Sequence, residues 1–387
     1  MGSVRGLYFH LSLARVAAQR ALASVGRGLA SSGIRLETIQ AVDPPAGWIA
    51  LSPTLSGICG SDISLLKGQS SPYMAPLTSF PAVLGHEIVA TVEESGQRVV
   101  VEPSLSCRAR RLPLCQMCST GRPDDCLRRI DPGLGPGLLL GYNAKMPGGW
   151  SERMWAPEDQ LVPLPTDMPD ERAVLTEPAA IVLAGLRRLE WAAVETVLVI
   201  GAGTLGLLAV ALISELYPAA RVYTLARYPS QRVMAKRMGA SYIVGDTRSD
   251  AEFLQVVGHP LATLPGYPPY YSRGFDAVIV AAGSQSALAS GLRWTAADRQ
   301  LLLLGGVGSV RMDCTPVWSR RVRIQGSYGY GESGVDTFRA VLSLFSVMSQ
   351  PLETLVTHRF SLQDHTRAIR TVVAGRDVIK AVFSPSA

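Results

Sequence analysis

The feature that most constrains the fold of this chain is a glycine-rich segment, ValLeuValIleGlyAlaGlyThrLeuGly, at residues 197–206. It follows an apolar strand and opens a helix, which is the context of a dinucleotide-binding loop. In such a loop Gly201 allows the tight turn, Gly203 lets the backbone approach a pyrophosphate, and Gly206 packs helix on strand. The alternative is a glycine-rich turn without a ligand. The residues predicted to bind a cofactor here are Gly201, Gly203, Thr204, Leu205 and Gly206.

Strands and helical stretches alternate on both sides of this loop. From about Asp170 onward, strands are predicted at 197–200, 221–225, 242–244, 276–280 and 301–304. Alternation of this kind predicts a parallel sheet with crossover helices. Residues before about 165 instead form short strands broken by Gly and Pro, such as 48–52 and 88–92. The sequence therefore predicts an α/β chain with a β-rich first part, a doubly wound parallel sheet, and a short tail that completes an earlier domain.

The end of the strand at 221–225 bears on the choice of cofactor. NAD-binding proteins usually carry an acidic residue there, which binds the ribose 2′-hydroxyl. This chain has Ala226 and then Arg227. A guanidinium can pair with a 2′-phosphate, so the sequence favours NADP(H) over NAD(H). The alternative is that Arg227 is a solvated residue stacking on adenine, which is compatible with either cofactor.

Zinc-binding residue types occur in the β-rich part. GlyIleCysGlySerAsp contains Cys59 and Ser61, and GlyHisGlu contains His86 and Glu87. ThrGluProAla places Glu177 at the junction with the second part of the chain. Thiolate and imidazole are typical zinc ligands. For Cys59 alone, a role as a small buried apolar residue remains the alternative.

These motifs, in this order and followed by the glycine-rich loop, make the chain similar to the zinc-containing medium-chain dehydrogenase/reductase family over essentially its whole length. GlyGlyTrpSerGlu (148–152) and LeuValThrHisArgPhe (355–360) resemble the same alcohol, sorbitol, threonine and glucose dehydrogenases. The resemblance implies a GroES-like catalytic domain at 1–178, completed by 329–387. It also implies a Rossmann domain at 179–328 and an active site in the cleft between the two domains.

The resemblance also assigns expected roles to individual side chains. It makes Cys59, His86 and Glu177 candidate ligands of a catalytic zinc, and Glu87 an adjacent acid that ligates zinc or lies behind the ligands. Ser61 takes the position of the first hydroxyl in a proton relay. The family often has a histidine five residues after the cysteine, where this chain has Ser64. The exit of the proton beyond Ser61 is therefore left open.

Four of the six cysteines lie within twenty residues, at Cys107, Cys115, Cys118 and Cys126. They are too crowded to crosslink a large fold and predict a closed structural zinc site in a reducing compartment, here the cytoplasm. Family members commonly space the first three by two residues, whereas this chain has five extra residues before Cys115. Cys107 is therefore the least certain of the four ligands. Nearby arginines also suit a nucleic-acid-binding zinc knot, but the paired spacing of such a knot is missing.

Charge and hydropathy limit the partners of the chain. The net charge is +6, but the 37 basic residues are scattered and form no polybasic tail, so we expect neither nucleic acid nor membrane as a partner. The 19 uncharged residues between Glu195 and Glu215 contain three glycines, so we interpret them as a buried strand plus helix. Residues 4–10 predict a first strand, followed by an amphipathic helix or, alternatively, an arginine-rich transit peptide. Its inward residues would be Leu13, Val16, Ala17 and Leu22.

The leading hypothesis is a zinc-dependent, NADP(H)-preferring alcohol dehydrogenase or carbonyl reductase that acts on a small molecule. A polyol or sugar dehydrogenase is the alternative within enzymes, favoured by Glu177 and by the SerAsp pair after Cys59. A non-catalytic nucleotide-sensing or scaffold protein is the alternative from another class. The joint presence of four candidate site residues argues against that alternative, because a scaffold needs none of them: Cys59, Ser61, His86 and Glu177. The resemblance implies a homodimer or homotetramer.

Overall fold

A computed structural model of the chain describes residues 3–12, 33–40, 43–261 and 265–386. The strands in these ranges are β1 Ser3–Phe9, β2 Ile34–Gln40, β3 Trp48–Gly57, β4 Ala82–Val83, β5 Ile88–Val92, β6 Arg98–Val101, β7 Met154–Pro157, β8 Leu161–Pro163, β9 Thr196–Ile200, β10 Arg221–Leu225, β11 Tyr242–Ile243, β12 Pro260–Leu261, β13 Tyr270–Tyr271, β14 Phe275–Val280, β15 Thr295–Leu303, β16 Arg323–Gly326, β17 Val356–Phe360 and β18 Lys380–Phe383. The first strand is confirmed, and the helix expected after it lies outside the described residues.

The helices are short, and most of them follow strands of the second half of the chain. They are α1 Gly60–Leu66, α2 Gln116–Ser119, α3 Asp170–Ala173, α4 Thr176–Leu186, α5 Thr204–Leu216, α6 Pro229–Arg237, α7 Ala251–Val257, α8 Gln285–Trp294, α9 Thr315–Ser319, α10 Gly334–Val347 and α11 His365–Ala374. Single 3₁₀ turns occur at Pro72–Leu77, Pro123–Asp125, Glu158–Gln160, Leu352–Leu355 and Leu362–Asp364. No helix in the described part of the chain is long and apolar enough to cross a membrane.

The chain divides into two compact units. The first contains Met1–Ala180, Tyr330–Val347 and Val356–Ala387, and the second contains Ile181–Gly329 and Met348–Leu355. The tail after residue 329 therefore contributes both α10 and β18 to the first unit. The domain limits expected from the sequence, 1–178 with 329–387 and 179–328, stay a prediction beside these units.

The first unit is built on a seven-stranded sheet in the order β17-β18-β3-β5-β6-β8, with β7 also paired to β3. All its pairs are antiparallel except β17 with β18. A second sheet has the order β2-β1-β4. β-Branched runs such as IleValAlaThrVal in β5 favour strands that bury a face, and β5 is almost entirely buried. This sheet places β3, β5 and β18 side by side, and the candidate site lies where these three strands meet.

The second unit contains a six-stranded parallel sheet in the order β11-β10-β9-β14-β15-β16. The chain runs outward from β9 in one direction, then returns to β14 and runs outward in the other. This order is the doubly wound arrangement, with its switch point between β9 and β14. The loop after β9 leaves the sheet at that point. Because α5 is buried from Gly206 to Ile213, the uncharged run at 196–214 is confirmed as a buried strand plus helix.

Candidate functional site

Cys59 and the pair His86–Glu87 are brought together by the register of two antiparallel strands. β3 ends at Gly57, and Ser56 pairs with Ile88 at the start of β5. The Gly57 N–H donates to the Glu87 carbonyl at 2.9 Å, which continues the pairing beyond β5. Cys59 then caps the N-terminus of α1. Two segments almost thirty residues apart in sequence therefore present their side chains at one point.

One ligand atom each of Cys59, His86 and Glu87 lies within 4.8 Å of the others. His86 and Glu87 are buried, and Cys59 is half-buried. A thiol, an imidazole and a carboxylate form a donor set that suits Zn²⁺ better than the all-oxygen ligands that Mg²⁺ or Ca²⁺ prefer. The half-buried sulfur also fits a site that keeps a position open to substrate. The three residues therefore fit a zinc ion.

The Glu87 carboxylate forms a buried ion pair with Lys380. Lys380 opens β18, which pairs with β3, and its ammonium also donates to the Ile58 carbonyl at 3.3 Å. A Cβ on Gly57 would lie 1.6 Å from Glu87 Oε2, so only glycine leaves room for this carboxylate. Burial lowers the pKa of Lys380, but the charges of Glu87, Cys59 and Glu177 and the hydrogen bond to Glu87 together raise it above the usual value. Glu87 is thus shared between the site and a buried lysine.

Glu177 lies near this group without joining it. Its carboxylate is not among the three ligand atoms that lie within 4.8 Å of one another. Burial raises the pKa of Glu177 to about 7, against the opposing charge of His86. The Tyr330 hydroxyl donates to Glu177 Oε1 at 2.7 Å. Glu177 is therefore a buried carboxylate that interacts electrostatically with the site and is held by a tyrosine.

Behind His86 lies the buried carboxylate of Asp62. Its Oδ1 is 3.7 Å from His86 Nδ1, and its Oδ2 accepts the Cys59 N–H at 2.9 Å. Burial alone lowers the pKa of His86, but Asp62, Cys59 and Glu177 together raise it above the usual value. At 3.7 Å the two groups interact by charge and not through a hydrogen bond, and such a carboxylate favours one orientation of a metal-binding imidazole.

Ser61 is exposed and adjoins the half-buried Tyr142. The two hydroxyl oxygens are 3.1 Å apart, and the Tyr142 hydroxyl donates to Asp62 Oδ1 at 3.0 Å. In the part of the chain that the structure describes, Ser61 thus has a hydroxyl neighbour that its sequence position did not reveal. Among the described residues, no side-chain hydrogen bond joins Ser61 to Ser64.

The four clustered cysteines form a second group of ligand atoms within 4.8 Å of one another. Cys107 Sγ lies 3.6 Å from Cys126 Sγ, which in turn lies 4.0 Å from Cys115 Sγ. Four thiolates around zinc with bonds of about 2.3 Å place neighbouring sulfurs about 3.8 Å apart, whereas a disulfide requires about 2.05 Å. The spacing therefore fits a tetrahedral zinc site, and it includes Cys107 despite the long gap before Cys115.

Backbone amides and the inserted residues support this cysteine loop. Backbone N–H groups donate to the sulfurs of Cys107, Cys115 and Cys126 at 3.4–3.5 Å, and these bonds hold the sulfurs in place. Within the longer first gap, the buried Arg110 guanidinium donates to four backbone carbonyls, those of Leu105, Arg129, Gly135 and Gly137. The extra residues thus fold around an arginine that ties the loop together.

The glycine-rich loop has the shape that a dinucleotide requires. Gly201 has a φ of +100°, and a Cβ on Gly206 would lie 1.8 Å from the Gly201 carbonyl oxygen. A Cβ on Gly203 would meet nothing within 4 Å, which leaves the helix N-terminus accessible. Thr204 and Leu205 form the first turn of α5. Arg227 is exposed two residues beyond β10, with its guanidinium 5.4 Å from the centre of the Tyr228 ring.

Four side chains at the metal group were not identified from the sequence. Lys380 had a detectable signal, because a lysine inside an otherwise apolar strand must find a buried partner. Asp62 follows Ser61 in a motif that was noted without a role. Tyr142 and Tyr330 carried no local signal, because only the fold brings them to Ser61 and Glu177. They are 81 and 153 residues away from these partners.

Comparison with known proteins agrees with this arrangement. The model of the alcohol dehydrogenase GroES-like domain matches residues 45–166, and that of the zinc-binding dehydrogenase matches residues 204–347. A sorbitol dehydrogenase from Arabidopsis thaliana is 26% identical over 340 residues, covering 85% of this chain and 86% of that protein. These matches and the sheet topology confirm the expected fold class, a GroES-like domain and a Rossmann domain.

Two solved structures share the fold over their whole length. A zinc-binding dehydrogenase from Sinorhizobium meliloti 1021 bound to NADP has a TM-score of 0.75 and 23% identity, with 100% of each chain covered. A protein described as a short chain alcohol dehydrogenase from Escherichia coli CFT073, complexed with NADH, has a TM-score of 0.74 and 21% identity, also with 100% of each chain covered.

Proposed function

Because this chain belongs to the zinc-containing medium-chain dehydrogenase/reductase family of oxidoreductases, we propose that it transfers hydride between NADP(H) and a small alcohol or its carbonyl counterpart. The observation that carries the proposal is the convergence of Cys59, His86 and a carboxylate beside the Ser61 hydroxyl. Zinc bound there would supply a Lewis acid that lowers the pKa of a substrate hydroxyl. Bound nicotinamide would accept the hydride.

We take Cys59, His86 and Glu177 as the zinc ligands, with Glu87 behind them. Glu87 is nearer to the cysteine and the histidine, but its Oε2 is already paired with the buried Lys380 ammonium. The partner of Glu177 is only a neutral hydroxyl. A carboxylate that is not paired directly with a buried lysine is the better ligand for a metal ion. The four cysteines would hold a separate structural zinc.

Ser61 takes the proton of the substrate hydroxyl in this proposal. The adjoining Tyr142 hydroxyl orients the Ser61 oxygen and is itself anchored on Asp62. These contacts support a relay that continues through Tyr142, at the step where relatives often use a histidine. Ser64, in the same helix, has no such neighbour among the described contacts.

Activity of Ser61→Ala tests the proposal, with Ser64→Ala as the matched control. We expect zinc-loaded wild type to oxidise simple alcohols with NADP⁺, and Ser61→Ala to lose 10²- to 10⁴-fold in kcat, the usual contribution of a positioned acid or base. Ser64→Ala should keep wild-type activity. Equal activity of both variants would remove Ser61 from the mechanism.

Activity that grows steadily with the number of hydroxyl groups on the substrate would move the substrate class to polyols or sugars, the alternative that Glu177 favours. The absence of turnover from every alcohol and carbonyl would favour a nucleotide-sensing protein.

The NADP preference rests on Arg227 and on the lack of an acidic residue after β10. A 2′-phosphate near this exposed guanidinium would gain a charge-assisted contact. We expect kcat/KM to be at least about 10-fold higher with NADP⁺ than with NAD⁺, a difference of one hydrogen bond to a charged group. Arg227→Ala should abolish the preference, and Arg237→Ala, another exposed arginine nearby, should retain it. A wild type that favours NAD⁺ would contradict this assignment.

The cellular compartment is proposed from the cysteine chemistry, and the oligomeric state is proposed from the family resemblance. The four-cysteine group suits a reducing compartment, and we propose the cytoplasm. We propose a homodimer or homotetramer and no partner other than small molecules.

A further inference from the structure

Tyr330 is a buried tyrosine whose only described hydroxyl contact is the carboxylate of Glu177. Its ring packs edge-on against Phe338, with centroids 5.2 Å apart. Its carbonyl accepts the Thr337 hydroxyl at 2.7 Å. Phe338 thus holds the ring of Tyr330, and Thr337 holds its backbone. The Tyr330 hydroxyl therefore has a fixed position from which it can hold an oxygen atom in place. Burial and the charge of Glu177 raise the pKa of Tyr330, so it donates as a neutral phenol.

The backbone of the same residue is tied to the cysteine loop. Asp124 lies two residues before Cys126, and its Oδ2 accepts the Gly331 N–H at 2.9 Å. Asp124 is half-buried, so this bond is screened less than a fully exposed contact is. The loop that carries the four cysteines is therefore connected to Glu177 through the Tyr330–Gly331 peptide and the Tyr330 side chain.

The Glu177 carboxylate needs a hydrogen-bond donor to hold it in one position, because neighbouring charges of both signs act on it. His86 and Lys380 attract the carboxylate, while Glu87 repels it. A glutamate side chain has three rotatable bonds, and holding it in one rotamer costs conformational entropy. The Tyr330 hydroxyl fixes Oε1 and restricts the rotamers that the carboxylate can adopt. Outer partners of this kind typically change metal affinity by 10- to 100-fold when they are removed.

We propose that Tyr330 is a positioning residue for Glu177, and that Asp124 couples the four-cysteine site to the site of Cys59, His86 and Glu177. The inference rests on the proposed function, because it takes Glu177 as a group of the catalytic metal site. Metal in the cysteine site orders the loop, the loop holds the Tyr330 backbone through Asp124, and Tyr330 holds the carboxylate. Metal binding at one site should then strengthen binding at the other, because such coupling is reciprocal.

The test compares metal retention in Tyr330→Phe and Tyr223→Phe. Tyr223 is an equally buried tyrosine that donates to Glu252 at 2.7 Å in the second unit, so both variants lose one buried hydroxyl bond to a carboxylate. Two quantities are measured. The first is the rate at which a chelator removes the more easily released of the two metal ions, and the second is the absorption spectrum of Co²⁺ bound at the Cys59 site. We expect Tyr330→Phe to release the metal at least about 10-fold faster and to shift the cobalt spectrum. Tyr223→Phe should do neither, although its Tm falls by a similar amount.

Variants of Asp124 test the second half of the proposal. Asp124→Ala should reproduce part of the faster release, and Asp124→Asn, which keeps an acceptor oxygen, should restore wild-type behaviour. Asp125→Asn, at an exposed neighbour paired with Arg122, is the control. Combined with Tyr330→Phe, Asp124→Ala should add little, because both act on one contact.

The outcomes separate the inference from the function on which it rests. If Cys59→Ala leaves cobalt binding unchanged, the catalytic-metal assignment fails. If Cys59→Ala abolishes it but Tyr330→Phe matches wild type in release and spectrum, only the positioning role is overturned. If Tyr330→Phe has its effect and Asp124→Ala has none, the coupling to the cysteine loop is overturned.

Discussion

The two cysteine-containing groups of the first unit are built in different ways. The group of Cys107, Cys115, Cys118 and Cys126 comes from twenty consecutive residues, and its sulfurs accept hydrogen bonds from amides of the same loop. The group around Cys59 collects its side chains from the start of α1, the two residues before β5 and the first turn of α4, and neighbouring buried charged or polar residues hold them. A closed metal site can therefore be encoded locally, whereas an open one depends on tertiary partners.

The largest expected effects are a loss of thermal stability when the four-cysteine group is changed and a loss of activity when the group around Cys59 is changed. Cys126→Ser should remove the metal of the cysteine loop and lower the Tm by about 10 °C, the shift that about 4 kcal/mol produces in a unit of this size. Cys59→Ala should change the Tm by no more than about 2 °C, yet lower kcat/KM by about 10³-fold through loss of the Lewis acid. Calorimetry and steady-state kinetics on both variants measure the two effects. Similar Tm losses in both would erase the distinction between the two groups.

Gly57 tests how tightly the open group depends on its surroundings. A Cβ at this position must displace Glu87 and break its buried pair with Lys380. We expect Gly57→Ala to cost about 3 kcal/mol of stability, because a buried charge loses its partner, and to weaken metal binding. Gly60 lies on the other side of Cys59, and a Cβ there meets nothing within 4 Å. Gly60→Ala should be tolerated, and an equal cost for both substitutions would argue against the crowding at Glu87.

Arg110 tests the local construction of the closed group. Its guanidinium binds four backbone carbonyls, which a lysine ammonium cannot span. We expect Arg110→Lys to cost about 2 kcal/mol and to lower the Tm by about 4–8 °C. The loop reaches the Cys59 group through Asp124, so the loss of metal affinity at that group should be smaller in Arg110→Lys than in Asp124→Ala. Arg108→Lys, two residues earlier and exposed, should have no effect. A greater loss of metal affinity at the Cys59 group in Arg110→Lys than in Asp124→Ala would mean that the two groups are connected by more than Asp124.

The difference between the groups also explains what the sequence could and could not predict. The strand at 197–200, the glycine-rich loop and the uncharged helix after it follow from short-range pattern, and the structure confirms the parallel sheet. The four cysteines were expected to form one group, although the gap before Cys115 cast doubt on Cys107. Its sulfur nevertheless lies 3.6 Å from that of Cys126.

The support around Glu177 and Ser61 could not be predicted in the same way. Tyr330 follows β16 and Tyr142 lies in a loop before β7, and neither segment has a periodicity that points to a partner. Only the packing of the tail against the β-rich part brings Tyr330 to Glu177. The ion pair of Lys380 with Glu87 likewise depends on β18 pairing with β3. These contacts are products of the three-dimensional fold, and the choice between Glu87 and Glu177 as the zinc ligand depends on them.

The central claim is that this chain holds two zinc ions in two separate groups, one of which is open for chemistry. Elemental analysis of zinc per chain in metal-replete wild type, Cys59→Ala and Cys118→Ala tests it most directly. The account predicts about two ions in wild type and about one in each variant. Zinc content that Cys59→Ala leaves unchanged would contradict the catalytic-metal assignment and favour a zinc-free reductase or a nucleotide-sensing protein.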